Sequence, residues 1–210
     1  HGHLATVALA REATALTHGS ELGLDVTSAA VVLTACSLTA DDVLGGLRTG
    51  VDAARGLGVE AHLVGTLDRA MADAVGVASP ATPNPTTRAS PAGPSLDTLR
   101  SLAPDPTSLS ALAGGLYVAA THAEPERFRD ALELAARAPE GAAVAAVAGA
   151  LLGAAHGASR LPVDLVAHHE LAWPLDVLAR DVVAQLSDPP GGSEYVEARD
   201  PLWQARYPGW

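Results

Sequence analysis

The sequence predicts an all-α protein, and three observations carry that prediction. Alanine makes up about a fifth of the chain and leucine is abundant, both strong helix formers. Aromatics are only 3% and isoleucine is absent, so the β-branched and aromatic stock of a sheet protein is thin. Apolar residues then recur at helical spacing through most of the 210 residues. A β-sandwich or barrel is excluded on these grounds. With 48% apolar residues the chain can bury one sizeable core or two small ones.

The expected elements follow in order. A first helix covers about 5–17, with Leu4, Val7, Ala8 and Ala15 among its small and apolar positions. A second covers about 27–38, where Val31, Val32, Leu33 and Cys36 make a mostly buried segment. Thr39-Ala40-Asp41-Asp42 opens a third, with Thr39 as N-cap and the aspartates complementing the helix dipole. Leu63, Leu67, Met71 and Val75 recur every four residues on a fourth, over 60–75. Residues 1–78 thus form a helical first half.

Residues 79–106 change character. Prolines at 80, 83, 85, 91 and 94 fix φ and remove backbone donors, which marks a linker or surface loop with at most a short turn around 96–102. Residues 107–187 are a helical second half: 107–121, a helix opened by Glu124-Pro125-Glu126, a small-residue helix over 141–156, then 162–171 and 174–186. Residues 188–210 form an aromatic tail with Tyr195, Trp203, Tyr207 and Trp210, expected to dock on the domain or on a partner because such rings are costly to leave in water.

Charge and composition remove several functions. A net charge of −11 argues against nucleic acid and against an anionic membrane surface. The single Cys36 rules out an internal disulfide and any multi-cysteine zinc site. The longest strongly apolar run, 141–155, is too short to cross a bilayer, and no signal peptide opens the chain, so a cytoplasmic location is expected. All 13 basic residues are arginine, so no Walker A lysine exists. His122-Ala123-Glu124 lacks the cysteines of a zinc deaminase. His168 and His169 point about 100° apart on a helix and cannot readily share an ion.

Gly149, Gly153 and Gly157 are spaced four apart on one helical face, which predicts close approach of a neighbouring helix. The run Ala145-Ala146-Val147-Ala148-Gly149-Ala150-Leu151-Leu152-Gly153-Ala154-Ala155-His156-Gly157 resembles the last motif of the ADP-ribosylglycohydrolase family, which includes the dinitrogenase-reductase-activating glycohydrolases. Ala113–Ala120, Phe128–Leu132 and Gly157–Pro162 resemble the elements around that motif, and Ala13–His18 resembles the family's Thr-His helix end. The resemblance implies an all-α bundle that holds two magnesium ions for glycosidic cleavage of ADP-ribosyl groups. Hard cations of that kind need carboxylate and hydroxyl oxygens.

The resemblance also locates a departure. The family's late Asp-x-Asp-Thr falls on Glu140-Gly141-Ala142-Ala143, which keeps one carboxylate of the set. The chain is expected to match the later portion of a partial or shortened fold, with the metal-binding front missing or supplied by another polypeptide. Asp41-Asp42, the only adjacent aspartate pair, falls after His18 and is explained by helix capping. No residue is assigned a catalytic or metal role. Thr17, His18 and Glu140 are the expected vestigial ligand-binding residues. The expected function is a catalytically degenerate domain that binds an ADP-ribose-like ligand or scaffolds another protein subunit, with no cofactor. The alternatives are an active magnesium-dependent hydrolase whose missing ligands come from a partner chain, and a structural subunit of a larger complex.

Overall fold

A computed structural model describes residues 2–78, 93–187, 190–192 and 199–207. It is helical throughout, with no strand among the described residues. The chain divides into two units, 1–161 and 162–210.

The first unit carries α1 (Gly2–Ala15), α2 (Glu21–Thr39), α3 (Val43–Gly56), α4 (Ala61–Ala78), α5 (Leu96–Leu102), α6 (Ser108–Thr121), α7 (Phe128–Ala135) and α8 (Gly141–His156). A 3-10 turn at Pro125–Arg127 leads into α7, as the proline and its flanking acids predict. At the centre lies α6, because Ser108-Leu-Ser-Ala-Leu-Ala-Gly-Gly-Leu-Tyr-Val-Ala-Ala-Thr121 is apolar or small on every side. Such a helix is stable only when surrounded. Every residue from Leu112 to Thr121 is buried, packed among α2, α4, α5, α7 and α8. Its own Leu116 and Tyr117 are fully buried, as are Leu33, Leu47, Leu63, Leu67, Leu99 and Leu152 of the other helices.

Helix starts are set by side-chain acceptors. Ser20 Oγ accepts from Gly23 N at 3.1 Å to begin α2, and Thr107 Oγ1 accepts from Ser110 N at 3.2 Å to begin α6. The expected cap of α3 is corrected. Thr39 is the last residue of α2, its hydroxyl donating to Ala35 O, and Asp42 caps α3 by accepting from Gly45 N at 2.7 Å. Ala40 is extended and ends α2, which moves the start of α3 three residues on. α2 itself begins earlier than the apolar pattern predicts. Its 19 residues are long and apolar enough, by length and composition, to cross a membrane, unlike the shorter run the sequence singled out; here it packs against α1, α3 and α8.

The glycine expectation is corrected too. A Cβ at Gly149 would meet only Leu132 at an ordinary 3.6 Å, and one at Gly153 would meet nothing within 4 Å. Gly157 is needed for its backbone: at φ +78° it ends α8, its N–H bonded to Gly153 O at 2.9 Å. Close helix approach is instead made by Gly115 of α6, which faces Val147 and Ala148 of α8, and by Gly50 of α3, 2.8 Å from Leu33 Cα by the same measure. Glycines four apart show where a close contact is permitted, not where a neighbour lies.

His122, which caps the end of α6, is buried, and its Nδ1 lies 3.0 Å from Val118 O. Burial, with a smaller contribution from the Arg127 charge, lowers its pKa below the ordinary imidazole value. The unfolded chain therefore takes up a proton that the folded chain resists, and stability is lost as pH falls below about 6.5. The melting temperature is expected to drop between pH 7 and pH 5, and His122→Gln is expected to flatten that part of the profile. A wild-type curve level over this range would refute the assignment.

In the second unit, α9 (Val163–Ala167) is a short turn of helix. It is followed by α10 (Ala172–Ser187) and α11 (Trp203–Arg206). The helix expected over 162–171 stops at Ala167, and α10 starts two residues before Pro174, which sits in its first turn where its missing N–H costs nothing. Within this unit Trp203 is buried, its ring 4.9 Å from that of Tyr207. Arg206 Nε and the Tyr207 hydroxyl both donate to Asp181 of α10, at 3.1 and 3.0 Å. Tyr195 and Trp210 lie outside the described residues.

Candidate ligand-binding site

Thr17 and His18 sit in the turn between α1 and α2. The turn is closed by the N–H groups of Thr17 and His18, which donate to Thr14 O at 3.0 and 2.8 Å. Thr17 Oγ1 and His18 Nδ1 are 2.8 Å apart. Both side chains are exposed and line a cavity of about 420 Å³ with Thr14, Gly23, Thr27 and Ser108. Two of these hydroxyls, those of Thr14 and Thr27, lie 3.2 Å apart. The cavity therefore presents hydroxyls and one imidazole, a set suited to hydrogen-bonding a polyol or a phosphate ester.

The α1–α2 pair is held in register by Arg11, which donates to Asp25 Oδ1 at 2.7 Å and to Ser28 Oγ at 3.1 Å. The second oxygen of Asp25 accepts from Glu60 N at 2.9 Å, tying the pair to the start of α4. Ser108 brings the beginning of α6 to the cavity edge, and the loop before it is built around Asp105. That carboxylate accepts from Ser110 Oγ and Thr107 Oγ1, both at 2.6 Å, and these bonds hold its pKa below the usual carboxylate value. Thr27 and Ser108 also border an apolar groove of about 550 Å³ that runs along α2 past Val31 and Ala35 to Val147 of α8.

The structure places the third expected residue elsewhere. Glu140 stands at the start of α8, exposed and making no side-chain cap bond, and it does not line the Thr17–His18 cavity. Ala142 and Ala143 are exposed beside it, and the first buried residue of the helix is Val144. Among the described residues no group of three His, Cys, Asp or Glu side chains could hold a metal ion. The donors at the start of α8 do not fit the magnesium pair that the family resemblance implies: alanine offers no oxygen, and the one exposed carboxylate there does not make a six-coordinate oxygen site.

Thr14, Thr27 and Ser108 were not singled out by the sequence. Thr14 and Thr17 stand about one turn apart, which is a weak local signal. Ser108 reaches the cavity only through the docking of α6 on α2, which no local pattern reveals. The remaining motifs resolve into local structure. His168 Nδ1 lies 2.6 Å from Asp164 O, His169 Nδ1 accepts from Leu171 N, and Asp42 serves as a helix cap.

An all-α bundle with a hydroxyl- and histidine-lined cavity at one helix junction is thus the class of protein that fold and site define. The sequence model of ADP-ribosylglycohydrolase matches residues 2–192. The chain belongs to the ADP-ribosylglycohydrolase family. No curated protein and no solved structure matches it significantly.

Proposed function

We propose that this chain is a member of the family that binds or scaffolds and does not itself cleave ADP-ribosyl bonds. The observation that carries this reading is the start of α8. Where the family's late acidic motif aligns, Ala142 and Ala143 stand open to solvent, and Glu140 is the only carboxylate of the set. The hydroxyls of Thr14, Thr17 and Thr27, with His18, supply the hydrogen-bonding groups for an ADP-ribose-like ligand.

The test is incubation of the chain with magnesium and proteins ADP-ribosylated on arginine or serine. The expected result is no release of ADP-ribose above buffer, alongside calorimetric binding of free ADP-ribose that His18→Ala weakens. Turnover that disappears in Glu140→Ala would overturn the reading. A second reading is an active hydrolase completed by a partner chain. The same exposure supports it, since the first turn of α8 is open to another polypeptide. Metal-dependent turnover that arises only when a co-purified acidic chain is added back would establish it.

A further inference from the structure

The second unit leaves its longest helix uncovered. No residue of α10 is buried. Leu175, Leu178, Val182, Val183 and Leu186, with Leu171 just ahead of them, are each about half exposed or more, from 47% at Leu178 to 83% at Leu186. At about 100° per residue these six fall within a single stripe roughly 140° wide, together with Ala172 and Ala179. A helix patterned this way has a buried face in its sequence and none among the described residues of this unit. Among the described residues of this unit, α11 lies along one flank, where Trp203 and Tyr207 meet Leu178 and Val182 around a cavity of about 470 Å³.

We propose that this stripe is the surface through which two copies of the chain pair, α10 against α10. Three features favour a second copy. The first is area: six half-exposed aliphatic side chains present on the order of 500–600 Å² of apolar surface, the upper range for a monomer's largest patch. Mutual burial removes on the order of 1,000–1,200 Å², which reaches the lower bound of a specific interface. The second is charge. In a chain of net −11, self-association requires a seam free of unpaired like charge, and the two carboxylates of α10 each have an arginine partner, Arg206 being shared with Asp200. Asp176 pairs with Arg180 at 2.9 Å, and Asp181 with Arg206 at 3.1 Å. The third is shape. Ala179 lies midway along the stripe, and a two-fold axis there lets the helices cross closely while Leu175 of one copy meets Val183 of the other. A purely apolar stripe is complementary to itself, as a two-fold interface requires.

Sedimentation of the 210-residue chain from about 1 to about 100 µM tests this, because pairing must follow mass action. The mass is expected to rise from 21.2 kDa towards twice that value. Leu175→Glu/Val183→Glu is expected to stay monomeric with an unchanged helical circular dichroism, since both side chains are more than half exposed and neither borders the α11 cavity. Ala179→Cys is expected to form a disulfide between copies under mild oxidation, while Cys36, which is buried, stays reduced. A wild-type chain that remains monomeric throughout would overturn the proposal. So would a dimer that survives the double substitution and is not cross-linked through position 179.

Discussion

Gly115→Val is expected to destabilise the protein by about 2–3 kcal/mol, a large fraction of the 5–15 kcal/mol that separates a typical domain from its unfolded state. A Cβ at position 115 would overlap the side chain of Val147 and lie 3.0 Å from the backbone nitrogen of Ala148. Rotating Val147 moves its methyls but not its Cβ, which is fixed by the backbone, and the α8 backbone cannot retreat without loosening the packing around its buried Val144, Ala148, Leu151 and Leu152. Gly153→Ala is the control, with the opposite sign. Its Cβ would meet nothing within 4 Å, so replacing a helical glycine is expected to stabilise by about 0.5–1 kcal/mol. Urea unfolding followed by circular dichroism measures both. Equal destabilisation at the two positions would mean that the crossing is not where the structure puts it.

The pair also shows what the sequence could and could not reveal. That α8 spans 141–156 was readable, because Pro139 and Gly157 bracket a run of small and apolar residues. Which glycine mates with which neighbour was not, since the partner of Gly115 is more than thirty residues away and α8 meets it through Val147, not through its own glycines. The capping of α3 failed for a local reason: threonine and aspartate both cap well, and only the extended backbone at Ala40 selects Asp42. In the candidate site, Thr17 and His18 came from resemblance to a family motif. Thr27 and Ser108 join them through the packing of α1, α2 and α6, and Glu140, expected as a companion, does not line the same cavity.

Tyr117→Ala is expected to cost about 3–5 kcal/mol, the largest effect of any single side chain considered. Tyr117 is fully buried, and its hydroxyl accepts from the backbone N–H of Ser95 at 2.9 Å. Ser95 is in turn the N-cap of α5, whose Leu99 and Leu102 are buried in the core. This contact is why a segment punctuated by proline as far as Pro94 becomes helical at Leu96: the ring supplies apolar surface for α5, and the hydroxyl satisfies the amide at its entrance. Tyr117→Phe separates the two roles. It keeps the ring and leaves one amide without its partner, for an expected loss of about 1–2 kcal/mol. In that variant, hydrogen exchange should quicken in α5 before it does in α6, because α5 is held at its entrance by this bond and α6 is enclosed on all sides. Uniform loss of protection across both helices would show instead that α5 is held by its leucines alone.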